Sequence, residues 1–281
     1  MAKVLSIITV NYNNKDGLRK TIESVLAQTC RDFEFVIVDG ASTDGGVDVI
    51  EEYAERIDIW SSEPDNGVYN AMNKGVNAAH GEYCLFLNSG DTFYDNDVVK
   101  NVIGRLSEGK NDIITGGTWL SFGRLVQAPQ EVSMAFLYAG TLCHQASFIR
   151  RELLLQFPYD ETLRYVADWK FWVETLIFHD CIYSSMDVTI ANYDWNGMST
   201  VHYKDVDKEK ERVLQSFFPV KVLEDYHRFT IGDNWEDKLY IAIKSSRFHA
   251  LIYSLNVCLI RFMQIFKKGA FWIKEYPVKL K

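Results

Sequence analysis

Cysteine is scarce and scattered in this chain of 281 residues: Cys30, Cys84, Cys143, Cys181 and Cys258 are odd in number and form no CxxC pair. Such usage argues against a disulfide framework or a zinc site, and a cytoplasmic protein is expected. No apolar run reaches the roughly 18 residues that a membrane span requires, because Asn256 and Arg261 interrupt the best candidate. The amino terminus carries one lysine and then a strand-length apolar run ending at Asn11, without the apolar core and cleavage site of a secretory signal. A nicotinamide-dependent oxidoreductase would place a GxGxxG turn after its first strand, and Asn11-Tyr12-Asn13-Asn14 offers none. Positive charge is also in deficit, with 30 Lys and Arg against 38 Asp and Glu. The net charge of -8 speaks against a nucleic-acid binder. It leaves room for an enzyme that holds a nucleotide's phosphates through a divalent metal. Repeats and low-complexity linkers are lacking as well.

What is present is ample apolar material, 47% of the residues, for one large or two small domains. Three short apolar runs each stop on polar or acidic residues: Ser6 to Asn13, Phe35 to Gly40, and Tyr83 to Asp91. Leu18, Ile22, Val25 and Leu26 repeat at helical spacing after the first, and Val47, Ile50 and Tyr53 after the second. A shorter strand over Ile57 to Trp60, the turn-rich Glu63-Pro64-Asp65-Asn66-Gly67 and a helix with Met72, Val76 and Ala79 lead to the third. Strands separated by helices are parallel, so their carboxyl ends, with Asp39 and Asp91, gather on one edge of the sheet, where open α/β folds bind ligands. Beyond it the pattern predicts a helix from Val98, a strand over Asp112 to Thr115, a hairpin or irregular excursion over Gly116 to Pro129, and a Trp-rich helix opened by Asp168.

Several of these segments together resemble glycosyltransferase family 2. They are Thr9-Val10-Asn11-Tyr12-Asn13, Asp39-Gly40-Ala41-Ser42-Thr43-Asp44-Gly45, Ala79-His80-Gly81-Glu82-Tyr83 leading to Asn88-Ser89-Gly90-Asp91, and Ala167-Asp168 before the Trp-rich helix. The resemblance runs in order over about residues 4–200. It implies an α/β GT-A fold, a Rossmann-like mostly parallel sheet flanked by helices, here with a helical C-terminal extension. It also implies a nucleotide-diphosphate sugar as donor, a UDP-sugar foremost.

Carried over position by position, the resemblance makes Asp39 the acceptor for a base's ring N–H, Tyr12 an aromatic face for the base, and Thr9, Val10 and Asn11 the lining of that pocket. Taken alone, Asp39 reads equally as an Asx turn ending a strand. Asp65, Asn66 and Lys74 flank the base, ribose or diphosphate, although Lys74 also fits a solvated helix face. The family's DxD motif holds a divalent cation, Mn²⁺ or Mg²⁺, that neutralises the leaving diphosphate. Here the stretch reads Asn88-Ser89-Gly90-Asp91, which leaves Asp91 as the strong metal ligand, places Ser89 and Gly90 beside the donor, and leaves strict metal dependence open. Asp168 matches the second residue of a Glu-Asp pair and becomes the general base of an inverting transfer. The first position of that pair is Ala167, and Asp168 also fits the N-cap of its helix. His144, Gln145 and Trp169 fall on the acceptor side; a buried structural histidine and core tryptophans, Trp172 included, compete with that assignment.

The expected organisation is a glycosyltransferase domain over 1–205, with a donor half (1–115) and an acceptor half (116–205), and a helical extension over 206–281. Between Lys238 and Lys281 nine Lys or Arg face only Glu275, so about +8 sits in the tail and about -16 (-8 minus +8) in the rest. Phe248, Leu251, Ile252, Leu255, Leu259, Phe262, Met263 and Phe266 give that tail a wide apolar face. It fits an in-plane helix on an anionic membrane, a helix packed on the catalytic domain, or a homo-oligomer contact. The function expected is sugar transfer to a glycan or lipid-linked acceptor in cell-surface polysaccharide assembly, peripheral at the inner membrane face. A nucleotide-sugar binder without turnover and a sugar nucleotidyltransferase are the rivals.

Overall fold

The computed structural model describes residues 3–193 and 203–231. These fall into two compact units, one ending at Pro219 and one beginning at Val220. The basic apolar tail lies outside the described residues. Among those described, no helix is long and apolar enough to cross a membrane.

The first unit is built on a mixed sheet of nine strands. Its parallel part is β3 (Ile59–Ser62), β2 (Glu34–Asp39), β1 (Leu5–Asn11) and β4 (Tyr83–Phe86), in that spatial order. Every residue of β1, β2 and β4 is buried. Helices cover both faces, so these strands read as continuous apolar runs rather than alternating ones. Leu5, Ile7, Phe35 and Ile37 join one apolar cluster with Leu18, Ile22 and Val25 of α1 (Lys15–Leu26) and Val49 and Ile50 of α2 (Gly46–Glu52). Asn14 caps α1, its side chain accepting from the Gly17 N–H at 3.1 Å.

Strand order reverses at β1: the chain steps from β1 outward to β2 and β3, then returns through α3 (Val68–Ala78) to lay β4 on the other side of β1. A crevice must open at the carboxyl ends of β1 and β4, and the segments that follow both strands project into it.

Beyond β4 the sheet continues through β8 (Ser147–Arg150), β6 (Ile113–Leu120), β9 (Tyr183–Tyr193) and β5 (Thr92–Phe93), with β7 (Arg124–Val126) paired to β6. Pairing here is antiparallel except between β6 and β9. Further helices of this unit are α4 (Val98–Leu106), α5 (Met134–Ala139), α6 (Arg151–Gln156) and α7 (Ala167–Val173). After α7 comes a π turn over Glu174–Phe178, and α8 (Tyr203–Phe217) follows β9. The second unit is described through α9 (Val220–Ile231).

Three elements differ from the pattern read in sequence. The third strand ends at Phe86, and Leu87 to Asp91 form a turn closed by the Asp91 N–H on the Asn88 carbonyl at 2.9 Å. Gly90 stands at φ 108° in that turn, a conformation that favours glycine. β3 runs on to Ser62 because Ser61 and Ser62 pair with Val38 and Asp39, a continuation that serine's polarity conceals. β6 extends to Leu120, and its Gly116 is required: a Cβ there would lie 2.4 Å from Ile190 Cγ1 and 2.5 Å from the Val188 carbonyl.

Candidate active site

The parallel register places Asn11, Asp39 and Ser62 side by side at the ends of β1, β2 and β3. Asp39 is fully buried and accepts four hydrogen bonds. Asn11 Nδ2 (2.8 Å) and Ser42 Oγ (2.6 Å) reach Oδ1, while the Ser42 N–H (2.9 Å) and Ser62 Oγ (2.7 Å) reach Oδ2. Burial by itself would raise this carboxyl, but the hydroxyls of Ser42 and Ser62, the Ser42 N–H and Asn11 together outweigh it and hold the group below its ordinary 3.8. A carboxylate has about four lone-pair sites, and all are occupied. Asp39 is thus the internal anchor of the strand-end row, and Asn11 is the member of that row that lines the cavity.

The same row ties down the loops. Ser42 Oγ accepts from the Asn13 N–H at 2.8 Å, Asn13 Oδ1 from the Thr43 N–H at 2.8 Å, and Asp44 Oδ2 from the Lys15 N–H at 2.7 Å. Thr9 is buried and donates to the Leu87 carbonyl at 2.8 Å.

A cavity of about 640 Å³ opens above this platform, within the size range of small-molecule sites. Val10, Asn11, Tyr12 and Asn14 line it from the end of β1, and Asp65, Val68, Tyr69 and Met72 from the approach to α3 and its first turns. Asn88, Ser89 and Asp91 contribute from the turn after β4, and Thr141, His144 and Gln145 from the segment before β8. Arg164 to Val166, Asp168 and Trp169 line it around the start of α7, and Val206, Asp207 and Lys210 from α8. Tyr12 is 68% exposed and lines the cavity, a large aromatic side chain open to a ligand.

Asp65, Asp91 and Asp168 thus share one cavity although they are far apart in sequence. Gly90 does not line it but shapes the turn that delivers Asp91; its N–H donates to Thr21 Oγ1 at 3.0 Å. Lys74 also lies off the cavity. Its ammonium pairs with Glu63 at 2.8 Å and donates to the Pro64 carbonyl at 3.1 Å, bracing the loop that presents Asp65. Asn66 caps locally, its N–H donating to Asn70 Oδ1 at 3.2 Å.

Asp168 is not the N-cap of α7; Val166 occupies that position. The Asp168 carboxylate instead takes the Tyr69 hydroxyl on Oδ1 at 3.0 Å and meets His144 Nδ1 with Oδ2 at 3.1 Å. His144 Nε2 in turn faces Asn88 Nδ2 at 3.4 Å. Trp169 lines the cavity with an edge only, since it is 3% exposed and its indole N–H donates to the Leu137 carbonyl at 2.7 Å. Trp172 is core, packed edge-on against Phe171.

Sequence reading missed Glu209. This buried carboxylate of α8 accepts the N–H groups of Arg164 (2.9 Å), Tyr165 (2.7 Å) and Val166 (3.1 Å), the donors left open before α7 begins. Lys210, one residue on, sits 4.7 Å over the Trp169 ring and donates to the carbonyls of Tyr138 and Gly140 at 3.0 and 3.3 Å. Burial pushes its ammonium down to about 8, with Asp207 opposing the shift. Nothing in the local sequence marks either residue.

Among the described residues, no three or more His, Cys, Asp or Glu side chains converge as a metal site. The donors at the turn after β4 are hard oxygens all the same: the Asp91 carboxylate, and Asn88 Oδ1, which is buried without a hydrogen-bond partner. That set fits a Mg²⁺ or Mn²⁺ ion that completes its shell with phosphate oxygens and water.

The sheet order and the crevice at its reversal are those of the GT-A fold. A profile of Glycosyl transferase family 2 matches residues 6–163, and the chain belongs to that family. It is 34% identical over 220 residues to the PGL/p-HBAD biosynthesis glycosyltransferase of Mycobacterium tuberculosis (strain H37Rv), covering 74% of this chain and 82% of the relative. It is 28% identical over 177 residues, covering 59% and 70%, to the putative teichuronic acid biosynthesis glycosyltransferase TuaG of Bacillus subtilis. Among solved structures, S. aureus TarS 1-349 in complex with UDP matches with a TM-score of 0.57 at 21% identity, over 68% of this chain and 60% of the TarS chain. The mannosyltransferase PcManGT from Pyrobaculum calidifontis, in complex with GDP-Man and Mn²⁺, matches with a TM-score of 0.62 at 14% identity, over 92% and 81%.

Asp39→Ala is expected to lower stability by roughly 2–4 kcal/mol, because it strands several donors at once. The acid dependence follows from the depressed carboxyl. Its contribution is complete above the unfolded value and is lost as pH falls through the folded one, so the wild type gains sensitivity below about pH 4 that Asp39→Asn lacks. Denaturant melts of both proteins between pH 7 and 3 test this, and parallel losses in the two would contradict it.

Proposed function

We propose that the chain is an inverting glycosyltransferase that uses a nucleotide-diphosphate sugar, a UDP-sugar foremost, and transfers the sugar to a hydroxyl of a glycan or lipid-linked acceptor in cell-surface polysaccharide or glycolipid assembly. The observation that carries this is the meeting of Asp65, Asp91 and Asp168 in one cavity whose rim bears an open tyrosine. Further support comes from relatives named for glycolipid and teichuronic acid biosynthesis and from structural neighbours solved with UDP, UDP-GlcNAc and GDP-Man.

In this reading residues 1–115 form the donor half. Tyr12 faces the base, Asp39 accepts the base's ring N–H in exchange for one of its internal donors, Val10, Asn11 and Asp65 border base and ribose, and Thr9, Lys74 and Gly90 hold those groups in place from behind. Ser89 and Asp91 meet the diphosphate, with Asp91 and Asn88 as the ligands for a divalent metal. Bound there, the metal would neutralise the charge that develops on the leaving diphosphate.

Residues 116–205 form the acceptor half, with His144, Gln145 and Trp169 on its wall. Asp168 takes the proton of the acceptor hydroxyl as its oxygen attacks the anomeric carbon. The bond to the diphosphate oxygen breaks on the opposite face, and nucleoside diphosphate departs. One base and one displacement invert the anomeric configuration.

The expected working place is the cytoplasmic side of the membrane. There the basic apolar tail would bind anionic headgroups.

Screening UDP-, GDP- and dTDP-sugars with Mn²⁺ against glycan and lipid-linked acceptors tests the reading. Transfer should release nucleoside diphosphate and fall when EDTA is added. Asp168→Asn should lower kcat by roughly 10²–10⁴-fold with nucleotide affinity unchanged. Pyrophosphate release would point to a nucleotidyltransferase, and an Asp168→Asn enzyme as fast as wild type would remove the base. Truncation near Glu236 should abolish sedimentation with phosphatidylserine or phosphatidylglycerol vesicles, and a full-length chain that never sediments would refute the membrane role.

A further inference from the structure

A carboxylate on the first turn of a seven-residue helix has several rotamers, and the residue before it, Ala167, has no polar group to select one. The selection comes from elsewhere in the fold. Tyr69 reaches Asp168 Oδ1 from the first turn of α3, and His144 reaches Oδ2 from the short helical turn before β8. Each oxygen is held by one group. Of the carboxylate's four lone-pair sites about two remain for a substrate proton.

His144 stands between two partners, with Nδ1 toward the Asp168 carboxylate at 3.1 Å and Nε2 toward the Asn88 amide at 3.4 Å. The Tyr69 phenol is pushed well above its usual range, by burial first and by Asp168 second, and therefore stays a donor. Both positioning groups are themselves fixed. Tyr69 is 7% exposed and packs at 5.6 Å on Tyr159, which in turn packs at 5.5 Å on Phe171 of the helix that carries Asp168.

We propose that Tyr69 and His144 are positioning residues that clamp the two oxygens of Asp168, with Asn88 fixing the imidazole, so that the carboxylate presents its free lone pairs to the acceptor hydroxyl. This rests on Asp168 being the base. Neither residue touches the reacting atoms in this role. They act by holding the base in the narrow range of geometry that proton transfer requires, since a misplacement of about 1 Å costs on the order of 10²-fold.

The test compares Tyr69→Phe, His144→Phe and His144→Asn with Asp168→Asn in the full chain, reading kcat, both KM values, nucleotide affinity by calorimetry and Tm. Tyr69→Phe removes one oxygen and should lower kcat about 10-fold, the loss of one hydrogen bond, with KM and nucleotide affinity within about threefold and Tm unchanged. His144→Phe should cost as much or more, and His144→Asn, which keeps a nitrogen donor near the Nδ1 position, should recover part of it. If Asp168→Asn is inactive while Tyr69→Phe and His144→Phe keep wild-type kcat, the clamp is wrong and the base stands. Losses confined to KM or tracking a fall in Tm, with no recovery in His144→Asn, overturn it equally. If Asp168→Asn keeps wild-type kcat, the base falls and the clamp with it.

Discussion

A single buried charge organises the strand-end floor of the cavity. Asp39 stands at the end of β2 between Asn11 and Ser62, its neighbours in the parallel register, and every lone pair of its carboxylate is occupied. An unpaired carboxylate there would be costly, whereas one met by four donors is stable and rigid. Ser42 extends the constraint, because it bonds Asp39 through both backbone and side chain and then receives the Asn13 N–H. The floor of the cavity is therefore set by strand register rather than by loop preference. Tyr12, held between these fixed points, keeps its ring outside.

The second wall is organised from far away in sequence. Glu209 collects three backbone N–H groups ahead of α7, and Lys210 bridges Trp169 to the end of α5. The backbone under Asp168 and the Asp168 side chain are fixed by different agents, the first by α8 and the second by Tyr69 and His144. A carboxylate on a short helix needs both kinds of support to be held still, since neither alone fixes position and orientation.

Much of this was legible in the sequence, for identifiable reasons. Buried parallel strands write themselves as unbroken apolar runs, so β1, β2 and β4 could be read as strands, and Asp91 and Asp168 do meet at one cavity. Local patterns did not reveal contacts that only the fold creates. Tyr69 and Asp168 are 99 positions apart, and Glu209 stands more than 40 positions from the N–H groups it caps. The internal bonding of Asp39 was hidden for a related reason: it depends on the register with Ser62, and Ser61-Ser62 carries no strand signature.

The contacts around Asp168 also bear on how such enzymes could be recombined. Tyr69 and Asn88 belong to the first 115 residues, His144 and Asp168 to the following ninety, and the four side chains form one connected chain across that division. A chimaera that joins the first 115 residues to a different second part would cut this chain of contacts even if both pieces folded well. The two parts are therefore not interchangeable modules, and any exchange would need Tyr69 and Asn88 to travel with His144 and Asp168.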